Sequence, residues 1–112
     1  MKIVANREAL ALAWGAVAGL VPVKSPKPIL MNVLMVADPG ADPELQLLAT
    51  NLDVAIRRDV AGVTVLESGS AVLPLKVGEI LRSISDAEVS ISYDAKTKEI
   101  KVSSRAAKFK IP

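Results

Sequence analysis

Two hydrophobic periods, one of strand type and one of helix type, alternate along this chain in an order that occurs twice. Residues 2–6 alternate well enough for a short strand, and residues 7–20 follow with helical spacing. Asn6 is placed to cap that helix and Glu8 lies in its first turn, where a negative charge is favoured. Pro22 ends it, and Lys24-Ser25-Pro26-Lys27-Pro28 reads as a loop. Residues 29–38 then form a strand that is apolar on both faces. Turn chemistry follows at Asp38-Pro39-Gly40 and Asp42-Pro43, then a strand over 45–50. Asn51-Leu52 is a tight turn, and residues 53–66 read as one longer strand.

From Glu67-Ser68-Gly69 the order starts again. Residues 70–73 give a short strand, and Pro74 fits the first turn of a second helix that ends near Ser85. Residues 88–93 alternate cleanly, with Val89, Ile91 and Tyr93 on one side and Glu88, Ser90 and Ser92 on the other. Asp94-Ala95-Lys96 is a hairpin turn, and strands over 99–103 and 107–111 complete the chain. The pattern is strand-helix-strand-strand-strand, twice, with negligible identity between the halves. It predicts two helices packed on two antiparallel sheets, a layered α+β domain.

Composition bounds the chemistry. At 112 residues the chain is the size of one domain, and with half its residues apolar it can fill one core. The net charge of +2, from 14 basic and 12 acidic side chains, does not by itself demand a nucleic-acid partner. Cysteine and histidine are both absent. Disulfides and thiolate metal sites are thereby excluded, as are the commonest general base and the commonest metal ligand. Ser68, Ser70, Ser83 and Ser85 have no visible base, and Gly69-Ser70 lacks the spacing and lysine of a phosphate loop. Asp38, Asp42, Asp53 and Asp59 can be imagined as metal ligands, but turn formation and solvation explain them better. The uncharged stretch 9–23, behind Lys2 and Arg7, is shorter than the ~20 residues of a spanning helix. It has the outline of a signal-peptide core, yet the strand before it, Glu8 beside it and its Ala/Gly content favour a buried helix.

Six stretches resemble, in order and spacing, the first domain of the bacterial sliding clamp, the beta subunit of DNA polymerase III. They are the opening MKIVANREAL, the basic loop from Lys24 into Pro28-Ile29-Leu30, and the Ala49-Thr50-Asn51-Leu52-Asp53 turn. The others are Leu73-Pro74-Leu75-Lys76, Glu79-Ile80-Leu81-Arg82, and the end of the chain from Ser103 through Phe109-Lys110-Ile111. The likeness covers essentially the whole chain. Each piece is common alone; the six in order are specific.

The resemblance implies a clamp fold in which residues 1–112 are the first of three such domains, with a linker and the remaining domains expected past Pro112. Two subunits close head to tail, the helices line the hole and the sheets form the outer wall. The implied function is that of a DNA polymerase processivity factor, a non-catalytic, cytoplasmic part that needs no metal or cofactor. Its implied partners are double-stranded DNA held without sequence reading, a homodimer partner subunit, and the polymerase and clamp loader through the whole clamp. No membrane is involved. Lys24 and Lys76 occupy positions that the family keeps basic near DNA, with Lys27 and Arg82 as secondary candidates. Taken alone, Lys24 is an ordinary loop lysine, and Arg82 can pair with Glu79 three residues away. Phe109 and Ile111 lie on a last strand that the family uses as a subunit-pairing edge; the plain alternative is that both point into this domain's own core. The first helix departs from the family, because Leu12, Gly15 and Ala16 stand where polar or basic residues are expected. Trp14 falls at a core position. A rival reading is a stand-alone α+β module that captures a protein partner with its last strand.

Overall fold

The computed structural model describes residues 1–21, 32–51 and 53–112. Lys24, Lys27 and the start of the strand predicted from residue 29 lie outside these, as does Leu52 of the predicted Asn51-Leu52 turn. The described elements run β1 (Lys2–Asn6), α1 (Arg7–Ala18), β2 (Asn32–Ala37), β3 (Leu45–Thr50), β4 (Ala55–Val60), β5 (Val63–Glu67), β6 (Gly69–Pro74), α2 (Lys76–Ser83), β7 (Glu88–Asp94), β8 (Glu99–Ser103) and β9 (Lys108–Ile111). They build a five-stranded sheet of order β5-β1-β7-β8-β9 and a four-stranded sheet of order β4-β3-β2-β6, with antiparallel pairings throughout.

The predicted repeat is present, with an exchange. The first strand of each half joins the sheet of the other: β1 pairs with β7, and β6 pairs with β2. This ties the two halves into one body. The core consequently draws on both sheets and both helices, from Ile3 and Ile91 to Met35 and Leu73, with Leu10, Trp14, Val17 and Leu81 between. The uncharged stretch near the N-terminus supplies part of that core. Among the described residues no helix is long and apolar enough to cross a membrane.

Two expectations are corrected. The single long strand over 53–66 is two strands, broken between Val60 and Val63. Gly62 has φ +72, a conformation other residues adopt only under strain, and there the chain leaves the edge of one sheet for the edge of the other. The Gly62 carbonyl accepts the Asn6 N–H at 3.3 Å, which pins the crossing to the start of α1. In the sequence only the glycine itself marks this point, since the residues on either side of it are apolar. Pro74, expected in the first turn of α2, is instead the last residue of β6, opposite Asn32. As β6 is an edge strand, the missing proline N–H need not remove a ladder bond. The helix starts at Lys76 behind Leu75, with no side-chain cap. By contrast α1 begins as expected, with Asn6 Oδ1 accepting the Ala9 N–H at 2.9 Å.

Candidate nucleic-acid interface

The two helices meet through a large residue and a missing side chain. Trp14 on α1 is 1 % exposed and is among the largest of the fully buried side chains. It fits because α2 carries Gly78: a β-carbon there would lie 2.5 Å from the indole nitrogen. Arg7 makes a second tie, its Nη1 donating to the Leu81 carbonyl in the last turn of α2 at 3.4 Å. A cation at a helix C-terminus is favoured by the aligned peptide dipoles. Its Nε is shut from water and, among the described residues, has no hydrogen-bond partner. Arg7 is therefore occupied in holding the helices together, leaving α1 without a free basic group.

On the solvent side the helices differ. The exposed positions of α1 are Glu8, Leu12, Gly15 and Ala16, with Leu12 68 % exposed. Leu12, Gly15 and Ala16, which stand where the resemblance expects polar or basic residues, are thus at the surface. On α2 the exposed positions are Lys76, Glu79, Arg82 and Ser83. Lys76 opens the helix, and Arg82 folds back so that one guanidinium nitrogen lies 3.4 Å from the point a β-carbon on Gly78 would occupy. Arg82 therefore hangs over the seam between the helices. The alternative pairing of Arg82 with Glu79 does not occur; the ion pairs among the described residues are Arg57–Asp59 at 3.7 Å and Lys110–Glu99 at 3.4 Å. Of the four predicted DNA-facing residues, the structure places Lys76 and Arg82 on one exposed helix; Lys24 and Lys27 lie outside the described residues.

β9 is an edge of the five-stranded sheet, as the last-strand reading requires. Phe109 and Ile111 are half-buried and pack against the domain's own core, while Lys108 and Lys110 are exposed. The turn that feeds β9 is braced from the far side of α2. The Ser104 hydroxyl and then the Ala106 N–H, which donates to Asp86 Oδ2 at 3.1 Å, hold the Asp86 carboxyl below its usual range. Of the aspartates imagined as metal ligands, Asp59 is engaged through its carboxylate, and Asp38 and Asp53 through their main chains. Asp38 shapes a turn with Ala41 and Glu44, and Asp59 pairs with Arg57. Asp53 donates its N–H to Asn51 Oδ1 at 3.0 Å.

Sequence reasoning missed Gly78 and the Arg7 tie. Gly78 had a signal, a glycine between Val77 and Glu79 inside a helical period; the Arg7 contact spans 74 residues and had none.

A profile described as "DNA polymerase III beta subunit, N-terminal domain" matches residues 1–112. The chain is similar in structure to a DNA polymerase sliding clamp from Caulobacter crescentus, at 28% identity and TM-score 0.88, covering 100% of this chain and 30% of that one. It is also similar to a Eubacterium rectale protein assigned as a DNA polymerase III beta subunit, at 29% identity and TM-score 0.88, covering 99% and 29%. A third, from Thermotoga maritima, has 20% identity and TM-score 0.83, covering 97% and 29%, and speaks for the fold alone. No curated protein sequence matches. The chain therefore spans about three-tenths of the length of the structures it resembles.

Proposed function

Because the chain belongs to the family of DNA polymerase III beta subunit N-terminal domains, we propose that it forms one domain of a ring that encircles duplex DNA and tethers the replicative polymerase. The observation that carries this reading is the match of the entire two-helix, two-sheet body to sliding clamps. The part is non-catalytic, acts in the cytoplasm, and needs no metal or cofactor of its own. Its work is topological: a polymerase attached to a closed ring stays at high local concentration beside its template, without tight contact at any one point.

A ring that slides needs attraction that is equal at every base pair, and phosphate contacts provide that. We assign them to Lys76 and Arg82 on α2 and to Lys24 and Lys27, which follow α1 in the sequence. Lys76 stands at a helix N-terminus, where the peptide dipoles also favour an anion. The exposed edge of β9, with Phe109 and Ile111 half-open beside it, is the surface that pairs with the neighbouring subunit. Ring opening falls to a separate loader. With so few basic groups facing the hole, this domain alone binds duplex no tighter than the ~10⁻⁴ to 10⁻⁶ M of ordinary nonspecific binding.

The test is the mass of the gene product in extracts of its own cells, read with an antibody against this domain. A product several times heavier than this chain supports a multi-domain ring. A product of this chain's own size would overturn it in favour of a stand-alone module that captures a partner along β9.

A further inference from the structure

The outer face of the five-stranded sheet carries a second basic surface, away from the helices. Cross-strand register places Lys2, Ser92, Lys101 and Lys110 in one row across β1, β7, β8 and β9. The next row ends in Ser103 opposite Lys108. Directly paired residues share a face of the sheet, and the alternate positions Ile3, Ile91 and Val102 are buried, so these side chains all point outward. Together they floor and rim a shallow open depression of about 990 Å³. Ser92 lies between Lys2 and Lys101, and Glu67 on β5 ends the same row opposite Lys2. Glu67, Asp94 and Glu99 stand at its margins, and Glu99 holds Lys110 at 3.4 Å in an exposed pair of the weak kind that a competing anion displaces.

We propose that this face binds the phosphate backbone of a single nucleic-acid strand on the outside of the domain. Lysine and serine are both common phosphate donors. A protein partner would instead require a buried aromatic or aliphatic anchor, and Tyr93 and Phe109, the aromatics at this depression, pack against the core. Base stacking is therefore absent from the recognition, which is sequence-independent and strongly salt-dependent. The basic row spans three inter-strand steps, about 14 Å, which is wide enough for one strand. The inference goes beyond the encircling role and does not depend on it, since the surface lies on the sheet and not on the helices.

The experiment is fluorescence anisotropy of a labelled oligothymidine with the 112-residue chain, at several salt concentrations. Replacing Lys101 and Lys110 together by Ser makes the plot of log affinity against log salt shallower by about 1.4, since each single-strand phosphate contact contributes ~0.7. Affinity at about 50 mM salt falls at least tenfold. Glu99→Gln, which frees Lys110, tightens binding, a gain that misfolding cannot imitate. Arg57→Ser, on the other sheet, leaves binding within twofold. The proposal is overturned if the double variant binds like the parent, or if Arg57→Ser weakens binding equally, which would mean diffuse charge attraction. Binding of a labelled polyglutamate of matched charge more tightly than the oligonucleotide at the same salt would also overturn it, in favour of an acidic protein segment. None of these outcomes bears on the size of the native product, so failure here is distinct from failure of the ring.

Discussion

Each helix carries a glycine, and the two glycines do opposite things. Gly15 on α1 is exposed, and a β-carbon there would meet nothing within 4 Å. Gly78 on α2 is the socket for Trp14. The buried sides of the helices are made for one another, whereas their solvent sides are independent: apolar beyond Glu8 and without a free cation on α1, carrying Lys76, Glu79 and Arg82 on α2. Packing dictates the first and leaves the second free. The difference teaches that a repeat can keep its architecture while placing the free positive charge of its helices on one half.

The largest effects come from breaking the seam. Trp14→Ala empties the core between the helices and should cost about 3–5 kcal/mol in urea unfolding. Gly78→Ala drives a methyl group into the indole and should cost about 1–3 kcal/mol; a neutral result would mean the helices are free to separate. On the solvent side, Lys76→Ser should reduce the salt slope of duplex binding by about 0.9, and Leu12→Lys should steepen it by the same amount if both helices face the same DNA. A response to Lys76→Ser alone would confine the contact to α2. Gly15→Ala should stabilise by about 0.5–1 kcal/mol, opposite in sign to the same change at Gly78.

The smallest effect is at Asp86. Its carboxyl is held below the usual range by Ser104 and then Ala106, so the charged form is favoured in the folded state. Its contribution is full above the ordinary carboxylate value and is lost as pH falls through the lowered one. Asp86→Asn should abolish that acid-side component of the stability profile; an unchanged profile would remove Asp86 as the brace of the turn before β9.

Much of this was legible in the sequence. Alternation found β1 and β7, and turn chemistry delimited β3 and β8, all with bounds close to correct; Asn6 marked the start of α1 through a capping bond that depends on one residue. The edge position of β9 agrees with the last-strand reading. What escaped was whatever depends on the third dimension. The crossing at Gly62 is marked in the sequence only by the glycine itself. The lysine row arises only once β1, β7, β8 and β9 lie side by side, because Lys2, Lys101 and Lys110 are far apart in the chain. Arg82, which the sequence left free to pair with Glu79, instead reaches back over Gly78.

The central claim is that DNA is held by enclosure. Its most direct test is to load the native gene product onto nicked circular plasmid with its cognate loader and follow retention by gel filtration, before and after one restriction cut. Retention on the circle and release from the linear molecule is the predicted result. Equal retention on both, at a salt concentration that suppresses phosphate contacts, would contradict it.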